Sequence, residues 1–274
     1  MTVSDEALGD LTGFRGGSGE PLVLLHGFMG TWRVWRPLLD DLTAQHTVFA
    51  PTLPGHHGAA ALDPGFVGSI DGMLDVLEAQ LDNEGIERAH IVGNSLGGWL
   101  SLELGRRGRA LSVTALSPAG GWNRPRDRDR VIRLMKTARL ANARGGRFLT
   151  PKRLQSPRVR KLALWSVAVH GDRVPPQDVA AMLEESLGCA VFDSFLTWVG
   201  GRESFPAAAQ ADYPIRVAWS EKDRTIPFKK YGRPLLASVP GADLVTLPDV
   251  GHVPMFDDPA LVTKTILEVT QRAE

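Results

Sequence analysis

The chain predicts an α/β fold: a mostly parallel sheet with helices on both faces and a block of helices inserted in its second half. Three observations predict it. Strand and helix patterns alternate through the first 120 residues, as expected for parallel strands joined by crossover helices. From 121 to about 207 the patterns are helical, with no convincing strand. Strands then return. This gives a core of 1–120 and 208–274, with 121–207 as an inserted helical cap.

Each element has its own signal. Pro21-Leu22-Val23-Leu24-Leu25 is short and almost wholly apolar, as a strand covered on both faces should be. Residues 32–43 have helical spacing, and Thr47-Val48-Phe49-Ala50 is a second buried strand ended by Pro51. Ile70, Met73, Leu74, Leu77 and Leu81 recur at intervals of three and four, which predicts a helix over 70–83. Strand Ala89-His90-Ile91-Val92, a helix through Trp99–Leu104 and strand Leu111–Leu116 follow. The cap carries helical stripes at Val131, Leu134, Met135 and Ala138, then at Val179, Met182, Leu183 and Ser186, then at Phe192, Phe195, Leu196 and Val199. The core resumes with strands Ile215–Trp219 and Asp243–Leu247 and a helix over 261–271.

Composition narrows the class. The chain has 274 residues, with 43% hydrophobic and 23% charged, ordinary values for a globular protein. Lys and Arg number 31 and so do Asp and Glu, so overall charge suggests neither nucleic acid nor a membrane surface as partner. Cys189 is the single cysteine. It excludes an internal disulfide and a cysteine-based zinc site, and reads as a buried thiol. The start Met1-Thr2-Val3-Ser4-Asp5-Glu6 is acidic, without a signal-like apolar region, and no apolar run reaches membrane-span length. The expectation is a cytoplasmic protein, monomer or homodimer, with no metal or cofactor. The segment 121–207 differs, with 16 Lys and Arg against 8 Asp and Glu. Solvated helix faces are the ordinary reading. A basic lid over a pocket for an anionic substrate is the sharper one.

The chemistry centres on Ser95 in Gly93-Asn94-Ser95-Leu96-Gly97. A strand turning sharply into a helix, with glycine two positions away on each side of one serine, is a nucleophile elbow. Larger flanks would collide with the crossing chain. The hydroxyl stands at a helix N-terminus, which favours developing negative charge, but it needs a base. His252, in Asp249-Val250-Gly251-His252-Val253 just after a strand, is the best candidate. Asp223, in the loop after the strand ending at Trp219, is the candidate to orient that imidazole. Glu221 and Asp249 are its rivals. Serine, acid and histidine all fall where parallel strands end, the usual ligand side of an open α/β sheet. Leu25-His26-Gly27-Phe28-Met29-Gly30 ends the first strong strand, and Gly27 would turn the chain so that the Phe28 amide faces the site. With the Leu96 amide it would form an oxyanion hole. His26 reads as structural, and His56 and His57 as loop residues.

With His26-Gly27-Phe28, Gly93-Asn94-Ser95-Leu96-Gly97-Gly98, Asp223 and Gly251-His252 in this order, the chain resembles the α/β-hydrolase fold enzymes: serine esterases, lipases and carbon–carbon hydrolases with a helical cap. The resemblance implies eight strands and a cap inserted after the sixth. It also implies a small-molecule ester, or a related carbonyl compound, as substrate. Relatives often carry an aspartate in the segment after the next strand, which here reads Ala50-Pro51-Thr52-Leu53-Pro54-Gly55. The leading expectation is ester hydrolysis through an acyl-enzyme. The G-N-S-x-G-G pattern also fits hydrolases of vinylogous diketones, where Arg158 or Arg160 could meet a substrate carboxylate, although those enzymes tend to have tryptophan where this chain has Val253. Cofactor-free haloperoxidase or acyltransferase activity, and a non-catalytic ligand receptor, are further alternatives. Met29, Asn94, Trp122 and Val253 lie close to the motifs and are the candidate substrate-binding residues.

Overall fold

The computed structural model describes residues 10–62, 66, 68–146, 148–202, 205 and 210–273. Its strands are β1 (Gly13–Gly17), β2 (Glu20–Leu25), β3 (His46–Pro51), β4 (Ala89–Asn94), β5 (Ala110–Leu116), β6 (Ile215–Ser220) and β7 (Asp243–Leu247). They form one sheet in the order β1-β3-β2-β4-β5-β6-β7. Every pairing is parallel except β1 with β3.

The continuous apolar runs have a simple cause. Successive side chains of a strand point to opposite faces, and both faces here are covered. In β2, Val23 and Leu25 join one hydrophobic cluster while Leu22 and Leu24 join another. The first is built with helices α2 (Ile70–Asn83) and α3 (Leu96–Arg106). The second is built with a 3-10 turn at Trp32–Leu38, helix α1 (Leu39–Thr43) and helix α10, which spans Pro259–Thr270.

Between β5 and β6 the described residues form helices only: α4 (Pro125–Gly145), α5 (Pro151–Leu154), α6 (Pro157–Ala163), α7 (Pro176–Leu187) and α8 (Phe192–Gly200). Part of this segment has a small core of its own, with Leu154, Leu164, Ala168, Val174 and Val179 buried together. Helix α9 (Phe228–Ala237) follows β6.

Several expectations are corrected. Among the described residues the sheet has seven strands, not eight, so the helical segment follows the fifth strand rather than the sixth. Strand β1 carries no apolar alternation because three of its five residues are glycine; it is an antiparallel edge held by the β3 backbone. The stretch 32–43 splits into a 3-10 turn containing Pro37 and a short α-helix, since proline lacks the N–H a continuous helix needs. Helix α9 contains Gly232 and Pro234, which hide its periodicity. The N-terminal run and the 207/208 boundary lie outside the described residues.

Candidate active site

The turn from β4 into α3 holds Ser95 in a conformation L-residues rarely adopt, φ 56° and ψ −111°. Such strain persists only when its surroundings over-determine it, and they do. The Ser95 amide donates to the Leu116 carbonyl at 3.0 Å, and its carbonyl accepts from Trp99 and Ala119 at 3.1 and 2.9 Å. A Cβ on Gly93 would strike the Gly97 carbonyl, and one on Gly97 would strike the Leu25 carbonyl. From Ala89 to Gly105 every residue is buried except Ser95. The turn lifts one hydroxyl out of the core.

His252 and Asp223 meet. His252 Nδ1 lies 2.7 Å from Asp223 Oδ2, and both side chains are buried. The other oxygen, Oδ1, accepts from the amides of Thr225 at 2.9 Å and Ile226 at 2.8 Å. An ionised carboxylate can only accept, so Nδ1 carries the proton and Nε2 is left with its lone pair. The rivals are occupied elsewhere: Glu221 accepts from the Asp249 amide, and Asp249 pairs with Lys222 and His170. Asn94, beside Ser95, donates through Nδ2 to the carbonyl of His252 at 2.9 Å and to that of Leu116 at 3.1 Å.

Around Phe28 the chain makes a tight turn, with the Gly30 amide on the Gly27 carbonyl at 3.2 Å. The left-handed residue is Met29, with φ 68°, not Gly27. Gly27 serves close approach instead, since a Cβ there would sit 3.4 Å from both Asn94 Oδ1 and Ser95 Cβ. The Leu96 amide opens α3, where helix geometry provides no acceptor. His26 is structural: Nε2 accepts from the Leu53 amide at 2.8 Å, so Nδ1 donates to the Gly27 carbonyl, also at 2.8 Å. Burial holds its pKa well below the usual histidine value, with the neighbouring His56 adding to the effect. Cys189 is buried, and desolvation pushes its thiol up to about 12.

A cavity of about 380 Å³ opens beside this turn. Met29, Asn94 and Val253 line it, together with Phe28. Trp122 is not among its lining residues; it packs edge-on against Trp99 in the main core. Arg158 is exposed, and the Arg160 guanidinium is used on the carbonyls of Leu154, Gln155 and Asp172. Among the described residues no Lys or Arg of the helical segment lines the cavity, which favours solvated faces over a basic lid.

Sequence reasoning passed over Asp257. It is buried, and accepts from the amides of Gly251 at 2.7 Å, Val169 at 3.0 Å and His170 at 2.6 Å. It thereby ties the histidine loop to the helical segment. A serine–histidine–carboxylate chain of hydrogen bonds lies elsewhere in the sheet, in which His90 lies 2.8 Å from Ser112 Oγ and 3.0 Å from Glu20 Oε2. Ser112 and His90 are each 1% exposed, so no substrate reaches that hydroxyl. The network satisfies buried polar groups.

Comparison with known proteins agrees with this fold. A profile described as the alpha/beta hydrolase family matches residues 22–265. A Mycobacterium tuberculosis protein named epoxide hydrolase EphH is 34% identical over 197 residues, covering 71% of this chain and 91% of the relative. A 2-hydroxy-6-oxo-2,4-heptadienoate hydrolase of Pseudomonas putida is 35% identical over 95 residues, 31% of this chain and 32% of its own. An esterase of Thermogutta terrifontis superposes with a TM-score of 0.72 at 20% identity, covering 95% of this chain and 93% of its own. The chain belongs to the alpha/beta hydrolase family.

Proposed function

We propose that the protein hydrolyses a carboxylic ester of a small molecule through an acyl-enzyme on Ser95. The observation that carries this reading is the Asp223–His252 contact of 2.7 Å, together with the Asn94 amide that binds the same histidine's backbone next to Ser95. His252 Nε2 takes the Ser95 proton as the oxygen attacks the carbonyl carbon. The amides of Phe28 and Leu96 receive the oxyanion. The protonated imidazole then gives its proton to the departing alcohol. Water, deprotonated by the same nitrogen, releases the acid and restores Ser95. The helical segment acts as a lid that shapes the cavity.

The name of the Mycobacterium relative raises epoxide opening as a second reading. The elbow residue argues against it. A serine oxygen attacking an epoxide carbon would leave an ether, which water does not cleave as it cleaves an acyl ester. The Pseudomonas relative raises carbon–carbon cleavage, but Arg158 and Arg160 lie away from the cavity lining.

Labelling with a fluorophosphonate and turnover of p-nitrophenyl esters test the proposal. Wild type should label and turn over, and Ser95→Ala should do neither. Labelling that persists in Ser95→Ala, or hydrolysis of styrene oxide without ester hydrolysis, would overturn it.

A further inference from the structure

Helix α7 presents a stripe to the cavity. Asp178, Ala181, Met182 and Glu185 all line it, at the spacing that stacks side chains on one helix face. Among the described residues the basic helical segment therefore contributes charge to the cavity only as two carboxylates. They are not equivalent. Asp178 is answered by Arg36 at 3.3 Å. Glu185 is buried, and among the described residues its carboxylate has one hydrogen bond, from Thr31 Oγ1 to Oε1 at 2.8 Å. Its second oxygen keeps its acceptor capacity.

Glu185 is tied through Thr31 to the turn that carries Phe28. Thr31 is three residues past Phe28, a span of at most roughly 10 Å of chain. Next to Glu185, Ser186 Oγ contacts Met29 Sδ at 3.8 Å. A buried carboxylate with open lone pairs is costly unless a donor fills them. Desolvation pushes its pKa up, while the Thr31 hydroxyl and the charges of Arg33 and His57 pull it down.

We infer that Glu185 is the specificity-determining residue of this cavity, accepting a hydrogen bond from a hydroxyl or ammonium group carried on the substrate's acyl chain. The ester itself rests on the reading above; the donor-recognising role of Glu185 rests on the cavity alone. An apolar body fits Met29, Leu164, Val167, Val179, Met182 and Phe256, which also line the space. A carboxylate head has no hydrogen to give Glu185 and would face it as a like charge; Arg33 and Arg36 also line the space, Arg36 already paired with Asp178.

The test compares kcat/KM for p-nitrophenyl hexanoate, 6-hydroxyhexanoate, 6-aminohexanoate and the adipate monoester. Wild type should favour a donor-bearing ester over hexanoate about tenfold, through KM, and disfavour adipate. The hydroxyl and amino arms tell the two donors apart. Glu185→Gln should lose most of an ammonium preference, and Glu185→Leu should favour hexanoate; cooperative melting shows that each variant is folded. Millimolar hexan-1-amine and 1,6-hexanediol supply a readout independent of turnover. One of them should raise the melting temperature of wild type more than that of Glu185→Leu. If wild type fails to turn over any ester, the hydrolase reading falls and the melting shifts still decide this one. The same order of esters in wild type and both variants, or equal melting shifts, overturns the inference.

Discussion

Asn94 and His252 are 158 residues apart, yet the side-chain amide of the first donates to the main-chain carbonyl of the second at 2.9 Å. The same nitrogen donates to Leu116 at 3.1 Å. Asn94 lines the cavity, and both hydrogens of its side-chain amide go to main-chain carbonyls of the scaffold. It ties the nucleophile's strand to the loop carrying the imidazole. Asn94→Asp should remove both donors and face two carbonyls with a buried carboxylate. We expect kcat to fall at least tenfold, with KM nearly unchanged, and the melting temperature to drop. Steady-state kinetics and calorimetry check this, and a change confined to KM would restore the substrate-contact role.

Asp223 and Glu221 are two residues apart but differ in role. Asp223 reaches His252 at 2.7 Å and is fixed by two amides. Glu221 accepts from the Asp249 amide at the surface. Asp223→Asn should lower kcat by roughly a thousandfold or more, because the amide favours the wrong imidazole tautomer. Glu221→Gln should change it less than threefold. Ester turnover by the two purified variants distinguishes them, and equal effects would remove Asp223 from the orienting role.

Asp257 gathers three amides, one of them from Gly251, directly before the histidine. Asp257→Asn turns an acceptor-only group into one that also donates, so at least one buried amide loses its partner. The cost should be about 1–3 kcal/mol, seen as a lower denaturation midpoint. Because the loop carries His252, kcat should fall as well. A variant with unchanged stability would show that the loop holds without this carboxylate.

The pH dependence of stability should reflect two buried histidines. Burial lowers His56 to about 4 and His26 well below its usual value. Unfolded, each takes up a proton near pH 6.5; folded, each refuses it. Their contribution is present above pH 6.5 and is lost as pH falls below it, for His56 through a window that reaches down to about 4. The slope should reach about 1.4 kcal/mol per pH unit for each histidine. Glu185, raised by burial, works in the opposite sense, so the difference between proteins is the cleaner quantity. Urea titrations at pH 7 and pH 5 should show a shallower loss in His56→Gln than in wild type. Equal losses would count against His56 as a buried neutral base.

Legibility in the chain followed the range of the forces involved. The continuous apolar run of β2, the apolar spacing of α2 and the glycines at 93 and 97 are local, and each is readable by itself. The elbow is legible as a local motif, although the steric demand on Gly97 comes from the neighbouring strand, whose Leu25 carbonyl a Cβ would strike. Strand β1 and helix α9 escaped because glycine and proline blur the periodicity, and neighbours elsewhere in the chain hold those segments.

By itself, then, the amino-acid order determined a parallel α/β core, a helical insertion and the succession of serine, acid and imidazole. Tertiary structure decided how each polar group spends its hydrogen bonds. It committed Arg160 to carbonyls and Asn94 to the histidine loop, put Trp122 in the core, and left Glu185 an oxygen to spare inside the cavity. The physical reason is that apolar periodicity is written within one element, whereas a donor finds its acceptor only once distant segments have packed.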